Sequence, residues 1–538
     1  MLSRWTPPRY PFRPPRELEA EAQGTAPVHH PVVIVGAGMV GLTVALDLAR
    51  HGIATVVIDD DDTVSIGSRA ICLAKRTLEI YDRLGLGQRV LDKGVTWKVG
   101  KVFHGSALAY AFDLLPEAGH RMPAFVNLQQ YYLEAWLVEA CVESGLVDLR
   151  WKSRLVSLSR EEDHVRLAVE TPAGMYTMTA DWLLACDGAR STVRAALDLP
   201  FVGKVFRDRF LIADVVLKGE VPFPSERWFW FDPPFHPGQS VLLHKQPDDM
   251  WRIDFQLGWE ADPEEEKRPE RVIPRIRAML GEGIEFDLEW VSVYTFRCRR
   301  LERFVHDRVI FLGDSAHQVS PFGARGGNGG VQDADNLAWK LAAVLRGTAP
   351  PSLLGTYDAE RIPAADENIL NSTRATDFIT PKTEAVRAYR DAVLQLARDH
   401  AFARRMVNSG RLSSPHCYAA TPLSTPDVEA WAAGPPPGAP AIDAPVADGW
   451  LLERLGGRPV LVLFGAVPDP ALPGLATLRL PADGVAAERY GALAGGAYLF
   501  RPDQHVAARF AAPTPEAVAS ALARLWGRVP AEGRITAA

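Results

Sequence analysis

Cysteine is scarce and unpaired in this chain. Its five cysteines (Cys72, Cys141, Cys186, Cys298 and Cys417) are scattered over 538 residues without a CxxC spacing. That pattern excludes a disulfide framework and a cysteine-based zinc site, and it fits a reduced, cytoplasmic compartment. The histidines show no ligand spacing either, so no metal is expected. No long apolar run is present. The longest, from Pro31 to Leu46, is interrupted by Gly36, Gly38 and Gly41 and ended by Asp47, which is too short to span a bilayer. A secretory leader is missing as well: Met1 to His30 carries Arg4, Arg9, Arg13 and Arg16 and has no apolar h-region. Finally there is no excess of positive charge. The formal net charge of −7 gives no general attraction to nucleic acid or to an anionic membrane. The local cluster Arg297, Arg299 and Arg300 reads equally well as a contact for an acidic ligand or as a solvated strand edge.

What is present is a large globular chain. Hydrophobic residues make up 47% and charged residues 23%, enough to bury a sizeable core, and the length implies two or three domains. Residues 1–30 read as an extended arm, because Pro7, Pro8, Pro11, Pro14 and Pro15 oppose helix and sheet. From Pro31 the pattern is α/β: a buried strand at Val32 to Val35, a helix with Val40, Val44 and Leu48 on one face, a stop at Gly52, and a second strand ending at Asp59. Short β-rich runs then fill 201–296, including "RWFWFDPP", "SVLLHK" and "WRIDFQL". A second stretch of the first domain, rich in helix, covers 297–409. The segment "WAAGPPPGAPAIDAP" marks a linker, and 410–538 ends in a small αβ unit with a buried strand at Val460 to Phe464.

Three motifs carry chemistry. The first is Gly36-Ala37-Gly38-Met39-Val40-Gly41, placed between a strand and a helix. Gly36 permits the turn, Gly38 lets a pyrophosphate approach the backbone, and Gly41 lets helix and sheet pack closely. The helix N-terminus offers oriented N–H groups to phosphate. Asp59 follows at the distance where a carboxylate accepts from ribose hydroxyls. This motif does not distinguish FAD from NAD. The second is "LLACDGARSTVR", a strand, an Asp187-Gly188 turn, and a short helix capped by Ser191. The third begins "RVIFLGDSAHQVSPFGARGGNGG". Asp314 sits at the carboxyl end of a strand, and a glycine-rich loop brings N–H groups to a helix expected to start near Asp333. Asp314, His317, Asn328 and Asp333 argue against a mobile surface loop.

GxGxxG, then DG, then GD, in that order over roughly residues 31 to 400, resembles the fingerprint of the group A flavoprotein monooxygenases, the FAD-dependent aromatic hydroxylases. The resemblance implies an α/β fold: a Rossmann-like FAD-binding domain, an inserted β-sheet substrate domain and, as in the larger phenol-hydroxylase-like and 3-(3-hydroxyphenyl)propionate hydroxylase-like members, a C-terminal thioredoxin-like domain. The last has no cysteine from Pro437 onward, so thiol chemistry is excluded and a structural or dimer-contact role is expected. It also implies site roles. Gly36, Gly38 and Gly41 hold the pyrophosphate and Asp59 the ribose. Arg69 is the basic residue nearby, and Gln130 contacts the flavin side chain. Asp187 and Gly188 meet FAD and nicotinamide, Asp314 the ribityl chain, and Gly326, Gly327 and Asn328 the pyrimidine edge. Pro321 stands beside the flavin ring. The third motif departs from the usual family pattern at Ala324-Arg325, Gly327 and Gly329. Arg325 favours an anionic substrate or the anionic flavin, or it is a solvent-facing charge.

The implied activity uses NADH or NADPH as transient electron donor and O₂, and it hydroxylates a phenol through a flavin C4a-hydroperoxide, the protein supplying position, desolvation and polarity. The middle strands supply candidate substrate contacts: Trp228, Trp230, His236, His244, Arg252 and Tyr294, with core packing the competing reading for the tryptophans. His236, His244 and Tyr294 are candidates for the base that favours phenolate. A homodimer is the family expectation. A flavin oxidase, a dehydrogenase, a Baeyer–Villiger-type oxygenase or a non-catalytic flavin sensor on the same scaffold stays open, because fold alone does not fix function.

Overall fold

In the computed structural model, residues 5–67, 70–219, 221, 223–407, 414–429, 431 and 433–528 are described. The first sheet has eight strands. Its central path runs Val305–His306, Val309–Phe311, Gly174–Ala185, Val28–Val35, Thr55–Ile58 and Val147–Arg150, with Val165–Thr171 and Arg154–Arg160 folded onto the Gly174–Ala185 edge. Val28–Val35 is parallel to both of its neighbours, and the near-continuous Val/Ile/Leu composition of these strands follows from burial on both faces. Helices Met39–Arg50 and Gly326–Leu345 pack against one another, and Met39–Arg50 also packs against Gln130–Glu143.

The second sheet also has eight strands, in the order His317–Gln318, Phe286–Arg300, Val202–Leu217, Met250–Leu257, Ser240–Lys245, Arg227–Phe231, Val99–His104, Ala107–Asp113. It therefore takes in strands from well outside the expected span 201–296. The pairing of Val99–His104 with Arg227–Phe231 is parallel and joins residues more than a hundred positions apart, which no local pattern reveals. Alternation along Arg227–Phe231 sorts its aromatics. Trp228 and Trp230 join the core formed with helix Pro269–Leu280, while Phe231 joins Phe210, Phe296 and Phe322 on the other side.

Two further expectations are corrected. The arm is not simply extended. Arg16–Ala22 is a helix, and the first strand starts at Val28, so that Pro31 lies within it. No proline falls between Pro15 and Pro27, and "RELEAEA" is rich in helix formers. The arm packs on its own chain: Trp5 stacks on Tyr131 at 4.2 Å, Tyr10 on Trp151 at 4.5 Å, and buried Glu17 binds His30 and Arg150 at 2.6 and 2.9 Å. The helix expected near Asp333 begins at Gly326. Its four early glycines have poor helix propensity, but a Cβ on Gly330 would come within 2.6 Å of Val40, and one on Gly327 within 2.7 Å of Met39. Close helix–helix approach overrides propensity there.

The C-terminal sheet runs Ala476–Leu480, Val460–Phe464, Gly496–Phe500, Val506–Phe510. Leu461, Leu463 and Leu499 pack with Trp339 and Ala343 of the long helix Gly326–Leu345. Among the described residues no helix is long and apolar enough to cross a membrane.

Candidate functional site

The carboxyl ends of the parallel strands converge on one cleft of about 540 Å³. Gly36 follows Val28–Val35, Asp59 follows Thr55–Ile58, Asp187 lies just past Gly174–Ala185, and Gly313-Asp314 follow Val309–Phe311. This is where open α/β sheets bind ligands. Gly36, Gly38, Asp59, Gln130, Asp187, Gly188, Asp314, Gly326 and Gly327 all line the cleft. The structure thus gathers nine residues expected to meet one cofactor. Arg69 lies outside the described residues.

The glycines divide by what surrounds them. A Cβ on Gly41 would overlap the carbonyl oxygen of Gly36, and Gly36 has φ +106° and backbone of Cys186 against it, so both positions are closed to side chains. Gly41 supports the turn from behind and does not line the cleft. Gly38 and Gly188 are open instead. A Cβ there would project into space, meeting at most Glu134 Oε1 at 3.8 Å. The result is a backbone cradle at the N-terminus of Met39–Arg50.

Asp59 and Asp187 are half-buried at the cleft, and Asp314 is exposed. Asp59 accepts from the Ala37 N–H at 2.6 Å and the Asp61 N–H at 2.9 Å, and burial raises its carboxyl above the usual range. Asp187 accepts from the Val193 N–H at 3.0 Å with one oxygen, while the other is buried without a hydrogen-bond partner. Burial raises this carboxyl too. Ser191 caps Thr192–Ala196 by accepting from the Arg194 N–H at 3.0 Å. Gln130 accepts from the Ala70 N–H at 3.0 Å and donates to Glu134 at 2.7 Å. Glu134 was not singled out in the sequence. It is buried, accepts from the Met39 N–H at 3.1 Å and the Ser65 N–H at 2.8 Å, and is raised by burial. Its position one helical turn after Gln130 was the available signal.

Beneath Asp314 lies a buried set of charges. Asp333 accepts from the Gly313 N–H at 3.0 Å and Arg361 Nε at 2.6 Å, and pairs with His317 Nε2 at 2.7 Å. Asn328 does not line the cleft. Its side chain accepts from the Ala74 N–H at 2.9 Å and donates to the Cys72 and Ala324 carbonyls, fastening strand Cys72–Ala74 to the helix start.

A second cavity of about 450 Å³ adjoins the same loop. Phe322, Gly323 and Arg325 line it, whereas Gly326 and Gly327 line the cleft. Its walls include Tyr110, Phe229, Phe231 and Phe378, with Arg227 from the sheet and Arg374 and Arg405 from the helices opposite. Pro321 is exposed beside it and lines neither space. The remaining candidates separate. His244 is buried beside Cys72, Sγ to Nδ1 3.8 Å, with no hydrogen-bond partner at Nε2. Burial and two nearby arginines push it well below the usual imidazole value. Arg252 binds Asp214 through two contacts of 2.8 Å. His236 is tied to the Gln256 carbonyl at 2.7 Å and packs on Phe255 in the core shared with Trp228 and Trp230, away from both spaces. Tyr294 is 38% exposed and packs on Phe296.

A dinucleotide cleft built at strand ends, with its glycines, acids and GD loop, defines a flavin-binding protein. The family model described as an FAD binding domain matches residues 29–372, and the chain belongs to that family. It is 29% identical over 372 residues, covering 68% of this chain, to a 3-(3-hydroxy-phenyl)propionate/3-hydroxycinnamic acid hydroxylase of Mycolicibacterium smegmatis. It is 35% identical over 364 residues, 66% of this chain, to a 6-methylpretetramide 4-monooxygenase of Streptomyces rimosus. The matches span 64% and 63% of these two relatives, less than two thirds of their length. The solved structure of the flavin-dependent monooxygenase PieE in complex with FAD and substrate is similar in fold. Its TM-score is 0.80 at 25% identity, over 94% of this chain and 100% of the other.

Proposed function

We propose that this chain is an FAD-dependent, NAD(P)H-consuming monooxygenase that hydroxylates a phenolic small molecule. The observation that carries the reading is the shared loop. Six consecutive residues, Phe322 to Gly327, bring an aromatic-walled cavity and a dinucleotide cleft against each other. The names of the relatives, both oxygenases of aromatic compounds, support it.

The residues present fit FAD. Gly38 and Gly188 leave a cradle that any side chain would fill, and Asp187 keeps a buried oxygen without a partner. In this reading the turn Gly36–Gly41 and the helix N-terminus hold the pyrophosphate, Asp59 the ribose, and Gln130 and Asp314 the flavin side chain. Asp187 and Gly188 border the flavin and nicotinamide side. Gly326 and Gly327 present backbone N–H groups to the pyrimidine edge, and Asn328 holds that backbone in place. When bound, FAD accepts a hydride from NAD(P)H and activates O₂ for insertion of one oxygen atom.

The chain's own work is position and water exclusion. Phe229, Phe231 and Phe322 desolvate the ring of the substrate, and Phe322 opens the loop that runs between the two spaces. His244 is kept neutral by burial and keeps an acceptor position at Nε2, but it lines neither space, and burial with two nearby arginines makes its imidazole a weak base for a phenol proton. His236 and Tyr294 are less suited, the first tied up on the other side of the sheet and the second facing solvent. The eight-stranded second sheet acts as the substrate domain. The C-terminal unit is thioredoxin-like with a structural role, and the protein works in the cytoplasm as a homodimer.

The test starts from the visible spectrum of the purified protein, followed by NAD(P)H oxidation with a panel of phenols under labelled oxygen. A yellow protein whose NAD(P)H use rises with one phenol, giving a product that carries one labelled oxygen, is the expected result. A colourless protein unable to take up FAD, or a yellow one indifferent to every phenol, would overturn the proposal.

A further inference from the structure

We propose that residues 5–10 of the N-terminal arm are a clasp on the FAD cleft: they position the three segments that border its Asp59 end and so set how long FAD is held. The proposal rests on FAD occupying the cleft, and not on hydroxylation.

The arm lands at three places, each next to a cleft residue. Trp5 stacks on Tyr131, the neighbour of Gln130. Tyr10 stacks on Trp151, two residues before Ser153, and Ser153 lines the cleft while its N–H donates to the Asp59 carbonyl at 2.7 Å. Between these anchors the arm pairs with loop 59–65, whose first and last residues, Asp59 and Ser65, both line the cleft. The Tyr10 N–H donates to the Asp62 carbonyl at 2.8 Å, and the Thr63 hydroxyl donates to the Pro8 carbonyl at 2.8 Å.

That loop has a reason to need holding. Residues 59 to 62 are four aspartates in a row, which repel one another and the pyrophosphate of a dinucleotide nearby. The body of the fold grips the loop at Asp59, at Asp61, whose carbonyl accepts from the Lys152 N–H at 2.9 Å, and at Ser65, whose N–H donates to Glu134 at 2.8 Å. The arm grips the stretch between. Arg9 and Lys152 each pair with one carboxylate oxygen of Asp62, so the arm also brings a cation to the acidic run.

The arm's composition suits this task. Pro7, Pro8 and Pro11 favour an extended chain before docking, which reduces the entropy lost when the arm settles. Pro8 offers a carbonyl and no N–H, so the pairing stops at one bridge between Arg9 and Thr63. On the far side, Glu17 of helix Arg16–Ala22 binds Arg150, the residue before Trp151. The arm is thus tethered on both sides of its contact with the loop. FAD meets a loop already in place, whereas a loop released from the arm must be ordered during binding, and affinity falls with the fraction of ordered loop.

The experiment uses the full chain stripped of flavin and reloaded. FAD affinity is read by calorimetry, release by the rise in flavin fluorescence, and stability by melting of the apoprotein. Trp5→Ala/Tyr10→Ala should bind FAD about 10-fold more weakly and release it faster, the range for losing two aromatic pairs. Trp5→Phe/Tyr10→Phe should recover most of that loss. Thr63→Val removes only the hydroxyl given to Pro8, and release should quicken about 3-fold. Apoprotein melting should fall by about 3 °C at most. Packing alone predicts the opposite split, lower apoprotein melting with unchanged FAD release, and that result would overturn the proposal. If the double alanine chain does not fold, Thr63→Val decides: release at the parent rate would overturn it. A parent chain that takes up no FAD would sink the cofactor reading together with this one, whereas variants that hold FAD like the parent would sink this one alone.

Discussion

Glu360→Gln probes the buried charges that join the C-terminal sheet to the cofactor cleft. Glu360 receives Arg501 at 2.6 and 3.0 Å, Lys340 at 2.7 Å and Asn336 at 2.6 Å, together with the Thr421 hydroxyl. Arg501 also binds Asp503, and the next residue, Arg361, binds Asp333. Three cations (Lys340, Arg361, Arg501) face three carboxylates (Asp333, Glu360, Asp503), and all are buried. Glutamine keeps the shape and removes one negative charge. The loss should cost about 3–5 kcal/mol, the usual penalty for leaving a buried charge uncompensated. With an unfolding entropy of about 2.1 cal/mol/K per residue, a chain of this length would melt roughly 3–4 °C lower.

The companion variant tests the cause. Lys340→Met in the Glu360→Gln background restores charge balance and should recover a large part of the loss. The pH dependence gives a third check. Burial lowers Lys340 to about 8, against the partial hold of Glu360. The unfolded chain therefore keeps a proton that the folded chain sheds above that pH, and stability from this group rises from there toward the ordinary lysine value. Without Glu360 the rise should begin at lower pH. Thermal and urea unfolding followed by circular dichroism and flavin fluorescence measures all three, and limited proteolysis near residues 408–440 reports loosening of the C-terminal sheet. A Glu360→Gln protein that melts with the parent, or a double variant less stable than the single one, would refute charge balance as the reason for this network.

Three other outcomes are expected. Gly41→Val should abolish FAD retention, read as the loss of flavin absorbance after gel filtration, because the new side chain collides with the Gly36 carbonyl and Cys186; normal flavin content would contradict the turn geometry. Asp314→Ala should weaken FAD retention with little change in melting of the apoprotein, and unchanged affinity for FAD would remove the assigned contact. Burial raises Asp254 to about 6, against the opposing pull of Arg252 and Arg227. The folded chain holds a proton that the unfolded chain releases at ordinary carboxyl pH, so this group's contribution is complete below about pH 4 and is lost by about pH 6 to 7. The total is about 3 kcal/mol at roughly 1.4 kcal/mol per pKa unit. Asp254→Asn should flatten that part of the stability–pH curve, and an identical curve would show that the group titrates normally.

The sequence determined by itself those parts of the molecule whose physics is local. The strand–glycine–helix turn at Gly36 to Gly41, Asp59 at the end of the next strand, the Asp187-Gly188 turn with its Ser191 cap, and Asp314 at a strand end were all legible, because each depends on residues a few positions apart. The structure then brought Gly36, Gly38, Asp59, Asp187, Gly188 and Asp314 to one cleft. Tertiary structure decided the rest. Near the start of helix Gly326–Leu345, Gly330 packs so closely on Val40 and the Gly313 backbone that a side chain there would force a shift, a packing fact with no trace in helix propensity. The aromatic cavity depends on a parallel pairing between Arg227–Phe231 and Val99–His104, and on helices that follow much later in the chain. That pairing sets which aromatics face the ligand, so Phe229 and Phe231 line the cavity while the more conspicuous Trp228 and Trp230 are core. Arg227 looks like any strand arginine in the sequence. Only the fold shows that its neighbour Arg252 pairs with Asp214 while Arg227 forms no ion pair among the described residues, because ion pairing is settled by contacts between distant segments.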